Sequence, residues 1–280
     1  MLSWRIVLAA LALPLVASCG AASPAPPSSG SAAAPPAVPT LKGNLTIFAA
    51  ASLTAAFNQM KTHIESANPG TTVTLNYAGS QVLRLQLAQG AQAVLFASAD
   101  TPTMDGARSD GSIEGQAVIF AHNRLAVVTP ASNPKVGSLQ GLAGPGVKIV
   151  FEQPSVPAGA YSRQALLKMS QDPSFGANFS AKVLANVVSQ EPDVKSVLSR
   201  IQLGEADAGM LYTSDIFTAQ PGTVRSVAIP DQYNVIADYP IAVVKNAPNA
   251  AGAKAFVSYL TAAQGGQAIL QKDGLLPVTG

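Results

Sequence analysis

The sequence predicts an α/β fold of two lobes, each a mostly parallel sheet flanked by helices, with two crossover strands joining the lobes. Short apolar runs rich in β-branched residues alternate with stretches of helical periodicity, which is typical of βαβ units. Residues 125–128 and 239–244 are the most strand-like segments, and they enclose a long block with its own alternation. We interpret these two segments as the crossovers.

The individual elements follow from apolar runs bounded by turn residues and from apolar residues spaced at helical intervals. Strands are predicted at residues 45–48, 73–77, 94–97, 124–129, 147–151, 183–187 and 209–212. Helices are predicted at residues 53–65, 81–89, 159–169, 194–203, 251–260 and 263–272. We therefore expect residues 44–122 and 241–280 to form lobe I and residues 123–240 to form lobe II.

Residues 1–18 have the features of an export signal peptide. Arg5 is the one charged residue among the first twenty, and the apolar run 6–16 is too short to span a bilayer stably. Cys19, the only cysteine of the chain, follows small residues in a pattern that resembles a bacterial lipobox. We expect a lipid on Cys19 to hold the exported protein at the outer face of the cell membrane.

The segment 19–43 is predicted to be a tether. From residue 21 to residue 40, all residues except Val38 and Thr40 are Ala, Ser, Gly or Pro, and none is charged. Such a composition offers no apolar face for packing. With a single cysteine the folded part contains no disulfide, so its stability rests on its hydrophobic core.

Composition and motifs exclude several classes of function. Seventeen basic and fifteen acidic residues without a basic cluster give no footprint for nucleic acid. The two histidines, His63 and His122, lie in no recognisable catalytic motif, and no Gly-x-Ser-x-Gly sequence is present, which disfavours a hydrolase. One cysteine and two separated histidines without a carboxylate cluster disfavour a direct metal site. We expect a monomeric protein that is not an enzyme.

Two serines follow predicted strands of the first lobe where a helix begins. Ser52 lies between the strand 45–48 and the helix 53–65, and we expect it to cap that helix. Ser80 occupies the equivalent place after the strand 73–77. Helix N-termini offer unpaired N–H groups and a partial positive charge, so both turns suit an anion.

Three positions of the second lobe complete the candidate site. Pro157 is expected at the first position of a helix, which leaves the Ala158 N–H accessible. Asp193 is the expected cap of the next helix, where Val194 presents its N–H. Tyr212 ends a predicted strand and is expected to direct its hydroxyl into the cleft between the lobes.

In the order in which they occur, these motifs resemble those of the periplasmic molybdate-binding proteins. The most diagnostic are Ala-Ala-Ala-Ser-Leu-Thr at residues 49–54, Val-Pro-Ala-Gly at residues 156–159, and the step from Val194 to Tyr212. The resemblance covers residues 44–278. It implies a type II solute-binding fold and a ligand, molybdate or tungstate, that is bound as an oxyanion with no direct metal ligand and no cofactor.

The resemblance also assigns the donors and the partners. The oxyanion would be held by the hydroxyl and N–H groups of Ser52 and Ser80, by the N–H groups of Ala158 and Val194, and by the Tyr212 hydroxyl. An ABC importer permease with its ATPase would receive the ion. Val94 replaces a usual family aspartate, and residues 171–180 are additional. We expect Val94 to alter loop or hinge support without loss of the site. The additional residues 171–180 leave the surface and geometry of the second lobe unpredicted.

Neutral donors favour a fully deprotonated tetrahedral dianion, because such an ion offers only acceptors. Monohydrogen phosphate carries a proton that needs an acceptor, and none of the five positions is acidic. Sulfate passes the same test, so a sulfate-binding importer component remains an alternative. A surface lipoprotein without a transport role is the other.

Overall fold

The computed structural model describes residues 38, 40–132 and 134–278. The predicted signal peptide (1–18), Cys19 and most of the tether (19–43) lie outside the described residues. Within these ranges the chain forms two five-stranded sheets flanked by helices. None of the helices described there has the length and apolarity needed to cross a membrane.

The elements alternate along the chain as the α/β prediction requires. The first part contains β1 (Gly43–Ala50), α1 (Thr54–Ala67), β2 (Thr71–Ala78), α2 (Ser80–Ala88), β3 (Leu95–Ala97), α3 (Thr101–Ser109) and β4 (Ile113–Asn123). The middle contains β5 (Leu125–Pro130), β6 (Ile149–Glu152), α4 (Pro157–Ser170), α5 (Phe179–Ala185), β7 (Val187–Glu191), α6 (Val194–Gln202), β8 (Ala208–Tyr212), α7 (Thr213–Phe217) and β9 (Val224–Ala228). The last part contains β10 (Ala237–Val244), α8 (Ala250–Thr261) and α9 (Gly266–Lys272).

The two sheets have the same strand arrangement. Their orders are β2-β1-β3-β10-β4 and β7-β6-β8-β5-β9. In each sheet four strands run in one direction, and the fifth, β10 or β5, is antiparallel to both of its neighbours. The parallel strands are joined by helical crossovers, whereas β5 and β10 enter from the opposite sheet. The predicted α/β class is therefore confirmed, and the two segments interpreted as crossovers are the antiparallel strands.

The connections between the sheets are short on one side and longer on the other. Only Arg124 separates β4 from β5, while residues 229–236 link β9 to β10. The second crossing comes earlier than the predicted boundary at 240/241, because residues 237–240 already pair with β4. Ordered packing also begins within the predicted tether, since Leu41 is buried and its N–H donates to the Asn68 side chain.

One element prediction is wrong. Residues 183–187 were expected to form a strand, but α5 continues to Ala185 and β7 begins at Val187. Val183 is fully buried on the core side of α5. A short apolar run does not distinguish a buried strand from a buried helical turn, and here the run contains the junction of the two.

The two departures from the family pattern both lie within packed regions. Val94 is buried, and its N–H and C=O bridge Thr46 and Val244 at the edge of β3. Within residues 171–180, Phe175 packs against Phe179 and Tyr233 with ring centroids 4.8 and 5.3 Å apart. The additional segment thus extends the second lobe's own core.

Candidate functional site

A small cavity lies between the two sheets. It is lined by Ala50, Ala51, Ser52, Gly79, Ser80, Ala99, Val156, Pro157, Ala158, Asp193, Val194 and Tyr212. All five residues chosen from the sequence are in this lining, and all five are buried. The structure therefore brings together positions that lie up to 160 residues apart in the chain.

Four helix starts converge on the cavity, two from each lobe. They are the 3-10 turn 51–53 that leads into α1, and the first residues of α2, α4 and α6. The N–H groups of a first helical turn have no partner within the helix, and they carry a partial positive charge. The arrangement accordingly favours a buried anion without a cationic side chain.

Ser52 does not cap a helix, contrary to the prediction. It lies inside the 3-10 turn, and neither that turn nor α1 has a side-chain cap. The tighter turn leaves the Ser52 Oγ only 2.8 Å from the Tyr239 hydroxyl oxygen of β10. The side chain thus contacts a neighbouring strand as well as the cavity.

Ser80 is the first residue of α2, which begins one residue earlier than the predicted start at residue 81. Its Oγ accepts a hydrogen bond from the Ala99 N–H at 3.0 Å. Ala99 follows β3 and itself lines the cavity. This contact was not predicted, because an alanine gives no sign of a functional backbone N–H.

The second lobe contributes two helix starts as expected. Pro157 is the first residue of α4, so Ala158 occupies the second position of that helix. Val194 is the first residue of α6, and the Asp193 side chain caps it by accepting a hydrogen bond from the Ser196 N–H at 2.9 Å. Both N–H groups belong to first turns that face the cavity lining.

Tyr212 ends β8 and places a phenol in the cavity wall. Among the residues that the structure describes, its hydroxyl has no hydrogen-bond partner. Burial raises the pKa of this hydroxyl well above its ordinary value, so the group stays protonated at physiological pH. The ring meets Tyr239 edge-on at 5.7 Å, which fixes its orientation.

The cavity wall contains no lysine or arginine within the described ranges. Asp193 is its one carboxylate, and its Oδ1 accepts from both the N–H and the hydroxyl of Ser196. No group of three or more His, Cys, Asp or Glu side chains in the described part of the chain is arranged to hold a metal ion. The site therefore offers hydrogen donors rather than metal ligands or fixed positive charges.

The lobes touch at the rim of the cavity. Gly79 faces the Pro192 carbonyl oxygen so closely that a Cβ at position 79 would overlap it. The Gln81 side-chain amide donates to the same carbonyl oxygen at 3.0 Å. Gly79 has a φ of −58° and a ψ of 140°, an extended conformation that any residue can adopt, so the close approach, and not the backbone conformation, requires glycine.

We expect Gly79→Ala to weaken ligand binding on the order of tenfold to a hundredfold, because the added methyl group holds the lobes apart and reduces the closed population. Lobe stability should change little, since alanine tolerates this φ. Calorimetry and small-angle scattering with ligand would measure both effects. Gly137→Ala is the matched control, because a Cβ there meets nothing within 4 Å. A Gly79→Ala protein that binds and compacts like the control would contradict this role.

Comparison with known proteins agrees with this architecture. The family model described as "Bacterial extracellular solute-binding protein" matches residues 45–276. The protein named molybdate-binding protein ModA of Mycobacterium tuberculosis is 38% identical over 275 residues, which cover 98% of this chain and 97% of that protein. Proteins of this kind bind solutes and are not enzymes.

Two solved structures show the same fold at lower identity. The periplasmic molybdate-binding protein of Azotobacter vinelandii is 22% identical and superposes with a TM-score of 0.71, covering 84% of this chain and 100% of that one. The sulfate-binding protein SubI of Mycobacterium tuberculosis is 18% identical with a TM-score of 0.76, covering 84% and 87%. Both share the type II two-lobed fold described above. The chain therefore belongs to the bacterial extracellular solute-binding protein family.

Proposed function

We propose that this extracytoplasmic protein captures molybdate, and tungstate without distinction, and delivers it to the permease and ATPase of an ABC importer. The observation that carries the proposal is a buried cavity formed by four helix starts and three hydroxyl groups, with no cationic side chain in its described wall. The 38% identical relative named as molybdate-binding supports the choice of ligand. Molybdate is here a transported ligand and not a cofactor.

The donor set matches a dianion that carries no hydrogen. The Ser52, Ser80 and Tyr212 hydroxyls and the Ala158 and Val194 N–H groups would supply hydrogen bonds to oxygens that can only accept. Hydrogen bonds to a charged group contribute about 1.5 to 3 kcal/mol each, so several together can offset the desolvation of the ion. The energetic gain depends on every donor being aimed at the ion before it arrives.

Sulfate is the second candidate, because it is also a fully deprotonated tetrahedral dianion. The fold shared with SubI is compatible with either ion. The difference lies in size: the molybdenum–oxygen bonds are longer, so a cavity shaped for molybdate leaves sulfate with stretched hydrogen bonds. Hydrogen bonds weaken when donors and acceptors separate beyond their ordinary distance.

Calorimetric titration of the purified protein with molybdate, followed by competition with excess sulfate, tests the function. We expect tight binding of molybdate and tungstate that a large excess of sulfate does not displace. Displacement by an equal concentration of sulfate would assign the protein to sulfate import. Failure of all three ions to bind or to raise the melting temperature would favour a surface lipoprotein without a transport role.

The attachment to the membrane completes the proposal. Cys19 would carry the lipid, and the part of the segment 19–43 that precedes the packed Leu41 would let the two lobes move relative to the membrane surface while they meet the permease. The support is the sequence pattern around Cys19 and its position as the sole cysteine. We propose that the protein acts as a monomer, since one chain supplies both halves of the cavity.

A further inference from the structure

A chain of buried hydrogen bonds runs from Ser52 to the connection between the two sheets. The Ser52 Oγ is 2.8 Å from the Tyr239 hydroxyl oxygen, and the Asn123 Nδ2 is 3.3 Å from that same oxygen. The Asn123 Nδ2 also donates to the Ser214 Oγ at 2.8 Å. Asn123 ends β4 and is fully buried, as is Tyr239.

The donor and acceptor roles in this series of hydrogen bonds are set by a backbone group that can only donate. The Arg124 N–H donates to the Asn123 Oδ1 at 3.0 Å, and the Thr213 hydroxyl donates to the same oxygen at 3.2 Å. An amide turned the other way would place its NH₂ against the Arg124 N–H, two donors face to face. The two Asn123 amide hydrogens therefore point to Ser214 and Tyr239.

The orientation of Asn123 determines what Ser52 can do. The Tyr239 oxygen accepts from Asn123, and Ser52 is its other hydrogen-bond partner among the described residues. If Tyr239 also accepted from Ser52, its own buried hydrogen would have no acceptor, so that hydrogen points to the Ser52 Oγ. The Ser52 oxygen then accepts, and its own hydrogen remains free for the cavity. In the reverse direction Ser52 would give its hydrogen to Tyr239 and present only lone pairs to a bound oxyanion.

We propose that Asn123 and Tyr239 are positioning residues that direct the Ser52 hydroxyl hydrogen into the cavity and thereby select oxyanions without a proton of their own. This inference rests on the proposed oxyanion-binding function and adds two residues that do not line the cavity.

Ser80 shows the same arrangement by an independent route. Its Oγ accepts from the Ala99 N–H at 3.0 Å, and a backbone N–H cannot accept in return. Among the described residues the Ser80 hydroxyl has no acceptor, so its hydrogen is also available to the cavity. Both cavity serines have one lone pair occupied by a protein donor, so both hydroxyls are prepared to donate to a ligand that has only acceptors.

A double-mutant cycle tests whether Tyr239 acts through Ser52. Molybdate affinity is measured by calorimetry for the full chain, Tyr239→Phe, Ser52→Ala and the double variant. We expect Tyr239→Phe to weaken binding about tenfold when Ser52 is present and less than about twofold when it is alanine. General damage to the fold would reduce molybdate affinity by the same factor whether residue 52 is serine or alanine. Equal factors in the two backgrounds would therefore overturn the proposal.

Asn123→Asp supplies a second test that retains the buried packing. One carboxylate oxygen can still accept from Arg124 and Thr213, but the other must now accept from the Tyr239 hydroxyl. The Tyr239 oxygen is then left to accept from Ser52, which reverses the direction of that hydrogen bond. Its negative charge weakens binding of any dianion, so the comparison is again made with and without Ser52. We expect a loss about tenfold larger when Ser52 is present, and equal losses would count against the proposal.

Molybdate binding by the wild-type protein distinguishes failure of the positioning role from failure of the proposed function. If the wild-type protein binds molybdate and both cycles are additive, only the positioning role fails. If the wild-type protein does not bind molybdate, the proposed function fails and this inference falls with it. Tyr259→Phe serves as the matched control, because this buried tyrosine of α8 is not in the cavity wall.

Discussion

Tyr212→Phe is expected to weaken molybdate binding about 10- to 100-fold while the fold stays intact. The hydroxyl is buried, lines the cavity and has no hydrogen-bond partner within the described chain. Its removal therefore costs the protein no internal hydrogen bond, but it removes one charge-assisted bond to the ligand, about 1.5 to 3 kcal/mol. Each 1.4 kcal/mol corresponds to about a tenfold change in affinity.

Calorimetric titration and thermal unfolding of the same preparation separate the two effects. The ligand-free melting temperature of Tyr212→Phe should match that of the wild-type protein, because the phenyl ring keeps its edge-on contact with Tyr239. Tyr259→Phe should leave the affinity unchanged. An unaltered affinity in Tyr212→Phe would remove this residue from the site.

Glu152→Gln is expected to stabilise the protein at alkaline pH by several kcal/mol. Glu152 ends β6, is fully buried, and has no hydrogen-bond partner for either carboxyl oxygen among the described residues. Burial raises the pKa of this carboxyl to about 8, and the nearby Asp215 carboxylate acts in the same direction. Ionising such a group inside the protein is costly, whereas a glutamine of the same shape stays neutral.

The sign of the pH dependence follows from proton binding. Below the ordinary glutamate pKa of 4.5, both the native and the unfolded chain carry the proton. Between pH 4.5 and pH 8 the native chain keeps the proton that the unfolded chain has lost, so the contribution of Glu152 to stability declines as pH rises. Above pH 8 the native chain also ionises and the decline is complete.

Urea unfolding of wild type and Glu152→Gln at pH 5 and pH 9 measures this difference. The variant should gain on wild type as the pH increases, and its stability should vary less between the two conditions. Glu114→Gln, at an exposed position of β4, is the control and should follow wild type. A Glu152→Gln protein that shows the wild-type pH dependence would mean that Glu152 is not a buried neutral carboxyl.

A protonated Glu152 also matters for the site. Its charge would act on Tyr212 at the end of the neighbouring strand β8. Lobe II already places the Asp193 carboxylate in the cavity wall. A neutral Glu152 adds no negative charge beside Tyr212, which lines the cavity.

Sequence reasoning identified the residues of the candidate site that depend on local pattern. Ser80, Ala158 and Val194 are all recognisable because a strand, small residues and a helix start follow one another within a few positions. Their convergence follows from the topology of α/β sheets, whose loops at the carboxyl ends of strands share one edge. Tyr212 could be predicted for the same reason, since it ends a strand.

The features that sequence reasoning missed depend on contacts between distant segments. Ser52 stands between a strand and a helix, where a helix-capping serine is common, but its hydroxyl contacts Tyr239, 187 residues away. Asn123 was unremarkable in the sequence, because its importance comes from Arg124, Ser214 and Tyr239 together. The burial of Glu152 was equally invisible, since a glutamate at a strand end is ordinarily solvated.

A crystal structure of the protein with bound molybdate, with molybdenum located by its anomalous scattering, would show directly whether neutral donors hold the ion. We predict a single molybdenum atom between the two lobes, with its oxygens within hydrogen-bond distance of the Ser52, Ser80 and Tyr212 hydroxyls and of the Ala158 and Val194 N–H groups. Contact of the ion with a lysine, an arginine or a carboxylate in place of these neutral donors would contradict the account.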